Sequence, residues 1–226
     1  MPLDPKRPLT YLITSGQTTF KTSPNSDEFS NILQLVEAAV AAELSLIQIR
    51  EKQLSTRVLY ELVVKGVALT RGTRTSLLVN DRVDVALTAS ADGVNLASES
   101  MSAADVRQLC SAEFLIGAST HSLAEAKAAR DGGADFVLFG PVFETESKKG
   151  FGPPQGLEKL KEVSSELGAL PVLAIGGITV ENSAECFRAG ASGVAAIRLF
   201  GDAGELGARV KSIRDCFSHM AKRPQE

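Results

Sequence analysis

Leu173-Ala174-Ile175-Gly176-Gly177-Ile178-Thr179, followed by Val180-Glu181-Asn182-Ser183, decides how the chain is read. An apolar run that stops at two glycines and gives way to Thr and a helix-forming segment predicts a buried parallel strand, a tight turn and a helix N-terminus. Such a junction suits an anion. Glycine has no Cβ to hold an oxyanion away from backbone N–H groups, and the first helical turn aims unpaired donors and a partial positive charge at the same point. Two glycines also close a strand-to-helix turn with no ligand at all. The next apolar run, 193–197, favours the ligand, because Arg198 and Gly201 follow it, and a phosphate is often held between the last two strands of an eight-stranded α/β barrel. Gly176, Gly177, Ile197 and Arg198 are therefore the expected lining of a phosphate site.

Working outward, short apolar runs alternate with helical patterns along the whole chain. The strand candidates are 11–14, 45–49, 77–80, 93–96, 114–117, 136–140, 172–176 and 193–197. Helical segments at 27–42, 56–70, 103–109 and 123–131 open after Ser26, Ser55, Ser102 and Ser122, each placed to cap the first turn. Alanine-rich faces such as Val36, Ala39, Val40 and Ala124, Ala126, Ala129 let the helices lie close to a sheet. Repeated βα units specify a parallel sheet with right-handed crossovers. Eight of them without a large insertion favour a closed barrel over an open doubly wound sheet. The expectation is α/β, a single-domain (β/α)8 TIM barrel spanning residues 1–226 with its core at about 10–217, and no linker divides it.

Composition narrows the function classes. The chain has 226 residues, 44% apolar and 23% charged, enough for one sizeable core. A net charge of -3 gives no basic footprint for nucleic acid, and the absence of Trp with only 2 Tyr argues against a base-stacking surface. The opening residues lack the apolar core of a signal peptide and no run is long enough to span a membrane, so a cytoplasmic protein is expected. Cys110, Cys186 and Cys216 fall in helical patterns without metal-type spacing and are read as free, buried thiols.

Function in such a barrel gathers at the C-terminal ends of the strands. After the first strand come Thr14 and Ser15, small donors of little specificity. After the second comes Gln48-Ile49-Arg50-Glu51-Lys52, where a period of two sends Gln48, Arg50 and Lys52 to one side. A solvated loop explains such charges, but a guanidinium at the end of a buried strand is costly without a partner, and Arg beside Lys suits a phosphate or diphosphate. Asn80-Asp81-Arg82 and Asp84 follow the third strand. Asp81 serves as partner to those cations or holds Mg2+ against a diphosphate, and its type alone does not decide between them. Asn95-Leu96-Ala97-Ser98-Glu99-Ser100 follows the fourth strand and offers Glu99. Ser119-Thr120-His121-Ser122 follows the fifth and places one of the 2 histidines at the mouth, either as an acid/base or as a capping residue; His219 is read as a solvated residue of the tail. A long loop follows the sixth strand, 140–154, with Thr145, Ser147, Lys148 and Lys149 among glycines, and reads as a lid for an anionic group. There is no Ser-His-Asp or Cys-His pairing. Two anion sites imply one phosphorylated substrate and one diphosphorylated partner, or a leaving diphosphate.

The order Gln48-x-Arg50-x-Lys52, Asn80-Asp81, Ser119-Thr120-His121, Gly140-Pro141-Val142-Phe143 with Thr145-x-Ser147-Lys148, and Gly176-Gly177-Ile178-Thr179 resembles the thiamine phosphate synthase/TenI family of (β/α)8 barrels over about residues 11–197. The resemblance implies a synthase that joins hydroxymethylpyrimidine diphosphate to thiazole phosphate with Mg2+, the diphosphate leaving before the thiazole nitrogen attacks. It implies that Gln48, Arg50, Lys52, Asn80 and Lys148 hold diphosphate, that Ser119 stabilises it, that Asp81 binds the metal, and that Thr145, Ser147 and the Gly177 backbone meet the thiazole phosphate. The partners so implied are small phosphorylated pyrimidine and thiazole molecules, with neither nucleic acid nor membrane; a homo-oligomer is allowed for, without a subunit number.

The chain departs from that pattern in two places. Ser100 stands where synthases carry a second metal carboxylate, so Mg2+ retention rests on Asp81 unless Glu99 shifts by one residue. Arg198 stands at the family's serine after strand eight. Two alternatives follow. A TenI-like thiazole tautomerase would use His121 as acid/base and would need neither metal nor diphosphate cations, which Gln48, Arg50, Lys52 and Asp81 argue against. A non-catalytic barrel that binds a thiamine precursor would suit the Ser100 and Arg198 changes.

Overall fold

The computed structural model describes residues 7–145 and 153–221. Eight strands alternate with eight helices among the described residues: β1 (Leu9–Ile13), α1 (Asp27–Ala41), β2 (Leu46–Ile49), α2 (Thr56–Thr70), β3 (Ser76–Asn80), α3 (Val83–Thr88), β4 (Gly93–Leu96), α4 (Ala103–Leu109), β5 (Leu115–Thr120), α5 (Leu123–Asp131), β6 (Phe136–Phe139), α6 (Gly156–Leu167), β7 (Val172–Ile175), α7 (Val180–Arg188), β8 (Gly193–Ala196) and α8 (Leu206–Ala221). Every neighbouring pair is parallel, and β1 pairs with β8 through Leu9↔Gly193 to Leu12↔Ala196, so the sheet closes into a barrel. The expected (β/α)8 barrel is what forms.

Closure sorts the side chains by parity, because successive residues of a strand face opposite sides. Leu9, Tyr11, Ile13, Leu46, Leu78, Leu115, Phe136, Leu138, Leu173 and Ala195 fill the inside, where the Tyr11 and Phe136 rings meet edge to face at 5.7 Å. Their neighbours, among them Leu12, Ile47, Leu77, Val79, Val94, Val137 and Val194, pack outward against the apolar helix faces. Each such side chain taken from water contributes about 1.5–3 kcal/mol, which fixes the strand ends as a rigid frame for the loops above.

Helix starts follow the sequence in most cases. Ser55, Ser102 and Ser122 accept from Val58 N, Asp105 N and Glu125 N. Ser26 is the exception: its hydroxyl donates to the Ser23 carbonyl at 2.8 Å and makes no cap to α1, because the turn before the helix takes the oxygen first. Two further readings change. The six-residue α3 is too short to show a helical period in the sequence, and His219 lies on α8 rather than in a tail. Of the three thiols, all free, Cys186 is buried, and burial pushes it up to about 12; Cys110 and Cys216 are partly exposed. No helix among the described residues is long and apolar enough to cross a membrane.

Candidate active site

The C-terminal ends of β2, β3 and β4 carry one continuous side-chain network. Gln48 is 1% exposed on the inner face of β2 and its Nε2 donates to Asn80 Oδ1 at 2.7 Å. Asn80 Nδ2 donates to Asp81 Oδ2 at 2.7 Å. Asp81 Oδ1 accepts from Ala97 N at 2.8 Å and from the Ser100 hydroxyl, which also accepts from Ala97 N at 3.1 Å. Asp81 itself has φ +58, a left-handed conformation that short polar side chains tolerate better than others, and its N–H donates to the Asn95 carbonyl. This turn aims the carboxylate across the mouth instead of letting β3 run on. The signal missed in the sequence is Ser100. It reads there as a lost carboxylate, whereas folded it is the donor that fixes Asp81.

Next along the rim, Asn95 Nδ2 donates to Ser119 Oγ at 3.1 Å. Gln48 Oε1, Asn95 Oδ1 and the Tyr11 hydroxyl are buried and have no hydrogen-bond partner among the described residues. Buried polar atoms are normally paired, and unpaired ones on the inner side of the strands can be completed by polar groups of a small molecule. Burial alone raises the Tyr11 phenol well above its ordinary value, so it stays a donor.

The cations lie just past β2, not on it, so the period-of-two reading holds for Gln48 and ends there. Arg50 is half-buried, its N–H donating to Thr14 Oγ1 at 2.8 Å, while Lys52 is exposed in the following turn. Neither side chain is in an ion pair among the described residues. Asp84 is not part of this group: it takes a two-pronged contact from Arg82 (2.8 and 2.6 Å), whose guanidinium holds it below the usual carboxylate range.

His121 is placed at the end of β5 but is already engaged. Its Nδ1–H donates to the Gly140 carbonyl at the end of β6, and its backbone N–H is held by Glu125 Oε2 at 2.8 Å. The Nε2 edge is the one left for other work.

On the far side, Gly176 and Gly177 have φ of +95 and +65. A Cβ on Gly176 would stand 2.5 Å from Pro141 Cα, and one on Gly177 would stand 2.5 Å from the Glu144 carbonyl oxygen. Val142 N and Phe143 N donate to the Ile175 and Gly176 carbonyls, so the loop after β6 lies directly on the glycine turn. The pair thus has a packing reason that holds with or without a bound anion. Thr179 caps α7 in a reciprocal box with Asn182, and Asn182 Nδ2 also holds the Gly177 carbonyl at 2.9 Å. Ile197 and Arg198 follow β8 across the same gap, and Arg198 Nη2 reaches Thr145 Oγ1 at 3.4 Å. Ser147 and Lys148 lie outside the described residues.

Mg2+ takes oxygen ligands and is usually held by one or two carboxylates plus substrate phosphates. Asp81 Oδ1 is filled by two donors, but Oδ2 accepts a single hydrogen bond among the described residues, from Asn80, and so keeps lone-pair capacity for a cation. Ser100, rather than Glu99, is the residue against Asp81; Glu99 is exposed. Among the described residues there is no cluster of three or more His, Cys, Asp or Glu that could hold an ion alone. The residues therefore fit a metal held by one protein carboxylate with its remaining oxygens supplied by a diphosphate.

The chain matches the family model described as thiamine monophosphate synthase (TMP-TENI) over residues 11–200. It is 41% identical over 181 residues to the thiamine-phosphate synthase of Methanoculleus marisnigri, covering 80% of this chain and 85% of that protein. It is 37% identical over 203 residues to the thiamine-phosphate synthase of Pelotomaculum thermopropionicum, covering 90% and 91%. Among solved structures, the thiamine phosphate pyrophosphorylase of Pyrococcus furiosus superposes with a TM-score of 0.75 at 32% identity, over 93% of this chain and 96% of that one. With this coverage, identity and shared barrel, the chain belongs to the thiamine monophosphate synthase/TenI family.

Proposed function

We infer that this chain is a thiamine-phosphate synthase, joining hydroxymethylpyrimidine diphosphate to thiazole phosphate with release of diphosphate. The observation that carries this reading beyond family membership is the Gln48–Asn80–Asp81–Ser100 network, which begins two residues before Arg50, a cation in no ion pair among the described residues. A proton shift on a thiazole ring needs no carboxylate fixed among amide and hydroxyl donors at strand ends that also carry two cations; a diphosphate leaving with a divalent cation does.

The bond from the pyrimidine methylene carbon to the diphosphate oxygen breaks, its electrons leave with the diphosphate, and the thiazole nitrogen then bonds to that carbon. Charge neutralisation at the leaving group is the main demand, since no protein nucleophile takes part. Arg50 and Lys52 supply cations there, with Lys148 assigned beside them from the resemblance. Gln48, Asn80 and Ser119 present neutral donors and acceptors that orient the group without moving protons. Asp81 would hold Mg2+, which when bound neutralises diphosphate charge. On the opposite side, the Gly177 backbone, Thr145, Ser147, Ile197 and Arg198 receive the thiazole phosphate, next to the capped start of α7. His121, tied to the Gly140 carbonyl, orients the loop after β6. The three free thiols support a cytoplasmic setting.

Product formation from the two substrates, with Mg2+ and then with chelator, tests the reading. Thiamine phosphate made only with metal is the expected result. No product from folded protein that still binds thiazole phosphate would overturn it and point to His121 and the tautomerase.

A further inference from the structure

Glu51 lies between Arg50 and Lys52 in the chain, yet it is 3% exposed, and burying a carboxylate is costly unless it is well paired. Its partners all come from the loop between β1 and α1. Gly16 N donates to Oε1 at 3.2 Å, while Thr18 N and Thr18 Oγ1 donate to Oε2 at 3.3 and 2.7 Å. Two more bonds tie the same loop to β2, from Thr14 N to the Gln48 carbonyl at 3.0 Å and from Arg50 N to Thr14 Oγ1 at 2.8 Å. The loop is thereby folded over the end of β2 on a single carboxylate.

What this does for the mouth is read at Gly16, which has φ +71. A Cβ built there would stand 3.3 Å from the Arg50 carbonyl and 3.4 Å from Arg50 Nη1. The guanidinium therefore runs along the Gly16 backbone, and the segment that Glu51 pins is the wall on which Arg50 rests. A long, freely rotating cation loses part of its hold on an anion to ordering; a wall that fixes its direction removes that loss in advance. We propose that Glu51 is a positioning residue: by pinning Gly16 to Thr18 it aims the Arg50 guanidinium at the diphosphate. The proposal rests on the synthase reading for the identity of that anion.

Binding of inorganic diphosphate with Mg2+ to the full chain, followed by calorimetry, is the first readout, and KM for each substrate is the second. Glu51→Gln keeps the shape but turns an NH2 group toward donors of the loop. It should weaken diphosphate binding about tenfold and raise KM for the pyrimidine diphosphate alike, with KM for thiazole phosphate unchanged. In an Arg50→Ala background the same change should add nothing, because the side chain it aims is gone. Equal losses in both backgrounds, wild-type binding by Glu51→Gln, or a parallel rise in KM for thiazole phosphate would overturn the proposal. Should Glu51→Gln fail to fold, Thr18→Val, which removes only the 2.7 Å donor, carries the same comparison with a loss of about threefold. A wild-type chain that makes no thiamine phosphate, yet binds diphosphate and shows the non-additive pair, keeps the positioning role and ends the synthase reading. A wild-type chain that does not bind diphosphate ends both.

Discussion

The two sides of the barrel mouth are built from different materials. From β1 to β4 the site is made of side chains, with Glu51 holding the first loop and Gln48, Asn80, Asp81 and Ser100 handing hydrogen bonds from strand to strand. From β6 to β8 it is made of backbone: two glycines lie under the loop at Pro141–Glu144, and a capping box opens α7. The difference teaches what each side tolerates. A side-chain network is sensitive to a change of charge at constant shape, and a backbone cradle is sensitive to a change of shape at constant charge.

The largest expected effect comes from Asp81→Asn. Asn accepts the φ of +58 at Asp81 and keeps the shape, but its NH2 group meets the Asn80 Nδ2 donor, so stability should fall by about 1 kcal/mol and the chain should still fold. Loss of the carboxylate should cut Mg2+-dependent synthesis about 10³-fold in single-turnover assays. Near-wild-type rates would mean that the charge on this side does not matter, and the contrast would collapse. Gly177→Ala probes the other side. With φ +65 and a carbonyl 2.5 Å from the new Cβ, it should lower stability by about 2–4 kcal/mol in thermal or denaturant unfolding, and raise KM for thiazole phosphate while sparing KM for the pyrimidine diphosphate. An unchanged unfolding midpoint would show that the loop moves aside without cost. The smallest effect is Thr179→Ala, which removes one half of the α7 cap for about 1 kcal/mol by equilibrium unfolding, with a few-fold change in KM confined again to thiazole phosphate. A matching change for the other substrate would show that the two sides are not independent.

Much of the fold was legible because it depends on local patterns. Apolar runs such as Leu173–Ala174–Ile175 and Phe136–Val137–Leu138–Phe139 mark strands that are buried on both faces, and the serines before α2, α4 and α5 mark helix starts. Residue types at the strand ends were legible for the same reason. Partnerships were not. Nothing in the spacing says that Ser100 bonds to Asp81 across 19 positions, or that Glu51 faces Thr18 across 33. Glu51 was hidden by its neighbours, since an acid between Arg50 and Lys52 reads as a balanced surface run. Strand parity does not single it out either, because β2 ends at Ile49 and the alternation of faces stops before it. The packing of Gly176 and Gly177 beneath the loop after β6 is likewise a long-range fact, and the glycines alone suggested a ligand first.

The Leu9↔Gly193 pairing also sets the order in which the molecule can be finished. During synthesis the segments that carry Arg50, Glu51 and Asp81 emerge long before the last strand, and their mutual hydrogen bonds need only β1 to β4. The seam that completes the barrel joins positions 184 residues apart, a closure that must wait for almost the whole chain and that adds to the long-range contacts which slow folding. Half of the mouth can thus be assembled on a nascent sheet whose two edges are still open. The thiazole side comes into being only with the step that removes those edges, so a chain arrested before β8 presents unpaired strands and an incomplete site together.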